Sequence, residues 1–464
     1  MNNLTNNYQW NIGLFAFYDM INTSAPVLFK TLGVDRLIEK KVTSNLPPYV
    51  SYKILEDEMP IVDELETPTF GAAIFHQSTL TNILLNGLDI TAGIRFDYEK
   101  AKIIYNNSTA LTQFYSITFG NMTIEDDMKA SIDLKGSETK NYLQVLPKLA
   151  VSYVFSGEKD ENKISNKIFA SISRGYKSGG FNLQMLSDIT QNNLRSEMMQ
   201  EIRTSIYNKL TEIGMPADAV ENNIISNMPQ INKINNIGEF ISYEPEYSWD
   251  YEIGGNFNLF NNKLFLDISL FFMNIKNMQI TQFSPNGFGR MLSNAGAVKT
   301  KGAEMSLTFD IFTNRTNTLS ACINYGYAHA IFTNYKDSIK INNIYKEVDY
   351  SGNYVPYAPQ HTISISTNYV YIINNKIFNN ISIGLQIIDA GKIYWNESNN
   401  IFQEHYQLIN SEITIGFIKD IFLEFWVKNI SNTSYKTFYF ETLGNKFFQL
   451  GKPKQFGAAL KINF

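Results

Sequence analysis

A single cysteine, Cys322, in 464 residues excludes an internal disulfide framework and any cysteine-built zinc cage. Tryptophan is scarce as well, at 4 against 27 Tyr and 33 Phe, an aromatic balance that suits strands and interfaces better than helical cores. There is no basic excess. Lys and Arg total 39 against 44 Asp and Glu, a net charge of −5, so the electrostatic footprint of a nucleic-acid partner is missing. No apolar run reaches the roughly 18 residues of a membrane helix. "YVYIINNKIFNNISIGLQIIDA" comes closest and is broken by asparagines. A helical membrane protein is thereby excluded; a membrane barrel is not. The opening "MNNLTNNYQW" lacks the charged and apolar segments of a secretion signal, so no signal peptide is expected.

Recognisable chemistry is also sparse. His76, His329, His361 and His405 lie far apart without ligand spacing, so no metal site is expected. "SRGYKSGGFN" (173–182) resembles a phosphate cradle, but Lys177 precedes the Gly pair, whereas a phosphate loop needs G-x-x-x-x-G-K-[ST] ahead of a helix. Glu244 and Glu246 in "EPE" stand about 7 Å apart by strand rise, loosely compatible with a glycosidase pair. Their place where a long loop re-enters the strands favours a solvated rim. With no nucleophile elbow or Ser-His-Asp arrangement, the expectation is no enzyme and no cofactor.

What is abundant is alternation. In "GLDITAGIRFDYE", Leu88, Ile90, Ala92, Ile94, Phe96 and Tyr98 share one face, against Asp89, Thr91, Gly93, Arg95 and Asp97. "KLFLDISLFF" and "QFGAALKINF" follow the same rule. The pattern gives about fourteen strands, many longer than ten residues, which is enough to cross a membrane at a tilt. Their connections alternate between short ("NLFNNK", "IFTNRTN", "IKD") and long, the long ones at about 19–66, 106–141, 179–242, 334–353 and 435–451. Short turns at one end and long loops at the other mark an outer-membrane barrel, whose closure satisfies every backbone group in lipid. A soluble β-rich glycan-binding protein or enzyme is the competing reading; its strands are usually about five or six residues.

The loop 179–242 carries helical spacing. "RSEMMQEIRTSIYNKLTEIG" aligns Ile202, Ile206, Leu210 and Ile213, with Gly214 just past the end. "ADAVENNIISNM" predicts a second short helix with Val220, Ile224 and Met228. The expectation is a helical hairpin.

Several stretches, in order over about residues 67–464, resemble the TonB-dependent outer-membrane receptors: "TPTFGAAIFHQ", "LDITAGIRFDYE", "LPKLAVSYVF", "IFASISRGYKSGGFN", "YEPEYSWDYEIGGNFNLFNNKLFLDISLFFMNIKNMQI", "NAGAVKTKGAEMSL", "YVPYAPQHTISISTNYV", "LEFWVKNISNTSY" and "GKPKQFGAALKINF". The resemblance implies an all-β antiparallel transmembrane barrel with about 14 of a family-typical 22 strands, as a partial barrel domain over 1–464 without a plug domain or TonB box. It implies that 179–242 is an extracellular loop, and that Phe464 is the terminal aromatic read by the barrel-assembly machinery. It implies uptake of a scarce nutrient, foremost an iron–siderophore chelate; haem, cobalamin or a glycan would suit the same aromatic loops. The TonB complex is a partner if the full-length protein supplies a plug, and outer-membrane lipid surrounds the barrel. A passive pore or a transport-inactive truncated barrel is the alternative. Tyr176, Lys177, Phe181 and Asn182, at the tip of the "GYKSGGFN" strand, are the expected ligand contacts.

Overall fold

The structure, a computed structural model, describes residues 2–4, 7–24, 26–30, 50–55, 58–119, 122–155, 166–228, 230–283, 290–341, 344–373, 375–417, 421–442 and 445–463. Among the described residues, fourteen strands each pair antiparallel with the next in sequence. They are β1 (Tyr8–Ser24), β2 (Glu58–Leu80), β3 (Leu88–Phe119), β4 (Met122–Phe155), β5 (Asn166–Lys177), β6 (Glu246–Leu259) and β7 (Leu264–Phe283), followed by β8 (Arg290–Thr313), β9 (Asn317–Asn334), β10 (His361–Ile372), β11 (Phe378–Ala390), β12 (Tyr406–Phe417), β13 (Ile421–Lys428) and β14 (Gln455–Ile462).

The sheet is not closed: among the described residues no pairing joins β1 to β14. The free side of β1 carries a short strand, Asn2–Leu4. Closure requires a strand number, tilt and shear that agree, and alternation along single strands specifies none of these.

Two faces run through the whole meander. Cross-strand partners share a face, and the pairings carry Ile94, Phe96 and Tyr98 of β3 onto Pro147, Val145 and Leu143 of β4. On this outer face large apolar side chains stand bare: Leu14 is 81% exposed, Leu143 72% and Phe456 81%. On β7 the outer apolar run Leu264–Phe272 covers about 26 Å of strand, which at a tilt of roughly 40° is about 20 Å of depth. The inner face is polar or small. One row crosses four strand boundaries as Asn256, Asp267, Ser306, Asn324 and Ser364.

Several inner aromatic rings lie flat over a glycine directly opposite in the ladder: Phe75 over Gly13, Phe17 over Gly71, Phe169 over Gly254 and Trp426 over Gly457. A Cβ at Gly457 would stand 2.4 Å from the indole, so the missing side chain makes room for the ring. At these four positions the packing explains why glycine sits inside a long strand.

Two expectations are corrected. Residues 106–119 and 122–141, expected within a long connection, are strand. The β3–β4 ladder continues from Leu88↔Tyr153 to Phe119↔Met122 and stands well beyond the rest of the sheet. Alternation persists through this extension, with Ile103, Tyr105, Leu111, Tyr115 and Ile117 buried, and a hairpin ladder satisfies its own backbone groups. The long helix also starts earlier than Arg195: α1 spans Leu183–Glu212. Its first turns hold polar residues such as Asp188, Thr190 and Asn193 on the buried stripe, so an apolar period cannot reveal them.

The end of α1 agrees with its reading. Gly214 takes φ +94 one residue past the C-cap, a conformation that favours glycine. A short helix, α2 (Ala217–Asn223), follows, and α3 (Ile237–Ile241) leads back to the sheet. Ile202, Ile206, Leu210 and Val220 are fully buried in one cluster with Leu111, Tyr115, Ile117 and Met128 of the hairpin extension. Ile213, expected on the same stripe, is 55% exposed, because the helix stops there.

Candidate functional site

The inner face of β5–β12 forms a cavity of about 750 Å³. Its floor is the polar row: Asn256 Nδ2 donates to Asp267 (2.5 Å), and Ser306 Oγ donates to Asn324 (2.8 Å). Glu252, Glu304, Ser269 and Thr362 add charge and hydroxyls. Such a surface offers many hydrogen bonds and a net negative wall.

At the long-connection end the cavity is lined by Pro359, Ile393 and Tyr406, and a roof cluster of Tyr357, Trp395, Phe438 and Tyr439 packs behind them. Ile393 and Tyr406 line the cavity and pack with Trp395 and Tyr439. Tyr357 lies against Trp395 (ring centroids 5.4 Å) and Phe438 (5.7 Å), and its hydroxyl donates to the Tyr439 carbonyl at 2.7 Å. Its backbone sits at φ +63. A bulky side chain in that region carries a cost of order 1–2 kcal/mol, which the two rings and the hydrogen bond offset. The Trp395 indole N–H is buried with no acceptor among the described residues. Burial also raises the Glu397 carboxyl above the ordinary carboxylate range, so this roof disfavours negative charge at that position.

The four residues expected to meet a ligand do not form one group. Tyr176 and Lys177 end β5, opposite Tyr247 and Glu246. Tyr247 receives a hydrogen bond from Gln144 Nε2 (3.1 Å) and lies under the Arg174 guanidinium (5.1 Å). Lys177 is exposed. Phe181 and Asn182 have internal work instead. Phe181 packs into the cluster of Leu65, Ile103, Tyr105, Leu186, Ile189 and Ile241. Asn182 grips the backbone of Leu292 from both sides, Nδ2 donating to its carbonyl (2.8 Å) and Oδ1 accepting its N–H (2.7 Å). Gly179 and Gly180 leave room for the Tyr142 hydroxyl and the Tyr243 ring, whose atoms lie 2.6 Å from where a Cβ would stand.

The other sequence candidates are accounted for singly. Glu244 pairs with Lys140 at 3.0 Å, and Glu246 accepts the Gln279 N–H at 2.6 Å, so both carboxylates brace the rim. The histidines are scattered: His76 bonds Ser78, His361 bonds Tyr325, and His405 pairs with Asp389. Phe464 lies outside the described residues.

Above the sheet, the helical unit is tied to the hairpin extension by a polar chain. The Tyr115 and Ser205 hydroxyls share a hydrogen bond (2.7 Å), Ser205 Oγ donates to Asp126 (2.9 Å), and Lys209 Nζ pairs with the same carboxylate at 2.9 Å. The Lys209 ammonium, aided by the Ser205 hydroxyl, holds the Asp126 carboxyl below its ordinary range.

The roof cluster was invisible as a cluster in the sequence. "VPYAP" around Tyr357 was legible as part of a family motif, but its partners Trp395, Phe438 and Tyr439 come from two other connections with no spacing rule between them.

A family model described as TonB dependent receptor-like, beta-barrel matches residues 63–430. Among solved structures, the ferric yersiniabactin uptake receptor FyuA from Yersinia pestis is similar over 100% of this chain and 60% of its own, at 15% identity and a TM-score of 0.52. The siderophore receptor PiuA from Acinetobacter baumannii matches 98% of this chain and 62% of its own, at 13% identity and a TM-score of 0.46. The chain thus spans about 60% of the length of the receptors it matches.

Proposed function

The chain belongs to the family of TonB-dependent receptor-like β-barrels, which reside in the outer membrane, and on that footing we propose that it is the barrel of a receptor for a ferric siderophore-type chelate. The observation that carries the reading is the cavity of about 750 Å³ on the inner face, lined at its upper end by Ile393 and Tyr406 with the aromatic cluster of the long connections packed behind them. Its size is that of a small-molecule site, typically about 300–1,000 Å³. Aromatic rings stack on planar chelator arms, while the polar row below accepts and donates hydrogen bonds.

The long-connection end faces the cell exterior, so 179–242 is an extracellular loop and Tyr176 and Lys177 stand where a chelate enters. Lys177 supplies a cation to an anionic chelate; Phe181 and Asn182 act through the loop they anchor. Energised uptake requires a plug and a TonB-contacting segment from the remainder of a full-length protein. Phe464 serves as the terminal aromatic for the barrel-assembly machinery. In lipid, the unpaired backbone groups at the edges of an open sheet need partners.

The test is direct. The purified chain in neutral detergent is titrated with ferric and iron-free catecholate, hydroxamate and citrate chelators, following tryptophan emission. Saturable quenching by one ferric class, weakened in Lys177→Ala and Tyr176→Ala, is the expected result. No saturable binding of any ferric chelate would overturn the reading.

A further inference from the structure

The ladder between β5 and β6 breaks where the chain leaves for the loop 179–242 and where it returns. Glu246 pairs with Lys177 below the break, and Tyr243 pairs with Gly180 above it. Ser178 and Gly179 on one side, and Glu244 and Pro245 on the other, make no ladder pair. The side chain of Gln279 on β7 enters this gap. Its Nε2 donates to the Ser178 carbonyl (2.8 Å) and to the Glu244 carbonyl (3.1 Å), and its backbone N–H donates to Glu246 Oε2 (2.6 Å). Asn294, opposite Gln279 on β8, holds Glu244 as well: Oδ1 accepts its N–H (2.8 Å) and Nδ2 donates to its carbonyl (2.9 Å).

These bonds use the donors of the junction and leave acceptors over. Gln279 is 7% exposed, and its Oε1, on the amide held between Ser178 and Glu244, has no hydrogen-bond partner among the described residues. The enclosed Ser178 Oγ has none either. Glu246 is half-buried and meets no cationic side chain among the described residues. Glu244 shares its charge with Lys140 at 3.0 Å. A buried acceptor without a donor loses its hydration and gains nothing in exchange. Here two such oxygens stand beside two carboxylates, so their lone pairs also repel. A water molecule would satisfy two of these oxygens while leaving the carboxylate charge unbalanced. A cation answers both, and a donor set made of oxygen alone selects a hard one.

We propose that this junction is a divalent-cation site that takes Ca²⁺ through Gln279 Oε1, Ser178 Oγ and the carboxylates of Glu246 and Glu244. Water completes the six to eight oxygens that the ion requires. Ser178 lies on the outgoing chain and Glu244 and Glu246 on the returning one, so the ion clasps both ends of the loop 179–242 to β7. With only two carboxylates, one of them shared with Lys140, the affinity belongs to the weak range of about 0.1–1 mM. Donors gathered from separate segments suit the irregular shell of Ca²⁺ better than the strict octahedron of Mg²⁺. The proposal is independent of the cargo.

The purified chain in neutral detergent, stripped with EDTA, is titrated with CaCl₂ by calorimetry. A parallel titration with Tb³⁺ follows emission sensitised by Tyr142 and Tyr243; the Tyr142 hydroxyl lies 2.6 Å from where a Gly179 Cβ would stand. The expected results are saturable Ca²⁺ binding, displacement of Tb³⁺ by Ca²⁺, and binding of Mg²⁺ at least about tenfold weaker. Hydrogen exchange at 178–182 and 242–246 should slow when Ca²⁺ is bound. Glu246→Gln keeps an acceptor for the Gln279 N–H but removes the charge, and should weaken binding about tenfold or more. Lys140→Gln frees Glu244 and should tighten it about two- to fivefold. No saturable response below about 10 mM Ca²⁺, equal affinity for Mg²⁺, or a Glu246→Gln variant that binds as the unaltered protein does would overturn the proposal. Should Glu246→Gln fail to fold, judged by heat-modifiable gel migration, Ser178→Ala and Lys140→Gln decide: unchanged affinity in both refutes the site. No chelate enters these measurements, so their failure leaves the reading under "Proposed function" standing.

Discussion

Substituting Gly457 by alanine tests the ring-over-glycine packing, because Trp426 leaves no room for a methyl group. A Cβ there would lie 2.4 Å, 2.7 Å and 3.2 Å from three indole atoms, and from no backbone atom within that shell. Carbon atoms meet comfortably at about 3.5–4.0 Å, so the indole must retreat by about 1 Å or the strands must part. Overpacking of this kind costs about 1–3 kcal/mol. Gly93 is the control: its nearest would-be contacts are 3.6–3.7 Å away, an ordinary separation. Gly93→Ala should therefore be neutral, or stabilising by roughly 0.4–1 kcal/mol through lost chain entropy in the unfolded state. The two substitutions are chemically identical and should have opposite signs. Urea unfolding in lipid vesicles, read by heat-modifiable migration, gives both values. In Gly457→Ala/Trp426→Ala the alanine clash disappears, so the double variant should be more stable than the sum of the single changes predicts. Additive behaviour, or Gly457→Ala as stable as the unaltered protein, would refute the packing argument.

Three further outcomes follow from the helical unit. Ile206→Ala opens a cavity at a fully buried position between α1 and the hairpin extension and should cost about 2–5 kcal/mol of docking stability, seen as faster proteolysis within 183–241 while the sheet stays resistant. Asn182→Ala removes both hydrogen bonds to Leu292 and leaves that backbone pair unsatisfied, costing about 1–3 kcal/mol; hydrogen exchange should rise at 290–294 and at the start of α1. The carboxyl of Asp126 titrates below its ordinary 3.8 when docked, so its contribution is complete above that value and fades as pH falls through the depressed one. Amide exchange in α1 should accelerate in that acid window, and Asp126→Asn should abolish the pH step while lowering protection at neutral pH.

How much was readable in advance differs from element to element. Strands such as β3, β7 and β14 were plain because one outward and one inward residue recur with period two, and each face meets a different medium. The extension 106–141 was missed because its alternation is weaker in side-chain type: Thr109 and Gln113 are buried beside Ile103 and Tyr115, so polarity stopped reporting the face. The helix register around Ile206 was legible, whereas its first three turns were hidden by buried polar residues. Of the rim residues, only the strand-end position of Lys177 was readable in the alternation. The inward commitments of Phe181 and Asn182 depend on Ile103 and Leu292, which lie far away in the chain.

The amino-acid sequence by itself determined the run of about fourteen long strands, their two faces, the short turns and the end of α1 at Gly214, since each follows from local periodicity or a single residue's backbone freedom. Only the tertiary structure decided which glycines lie beneath rings, and that Tyr357, Trp395, Phe438 and Tyr439 meet in one cluster behind the upper edge of the cavity. Those facts depend on register between strands, and register is set by pairing across the whole sheet rather than by any one segment.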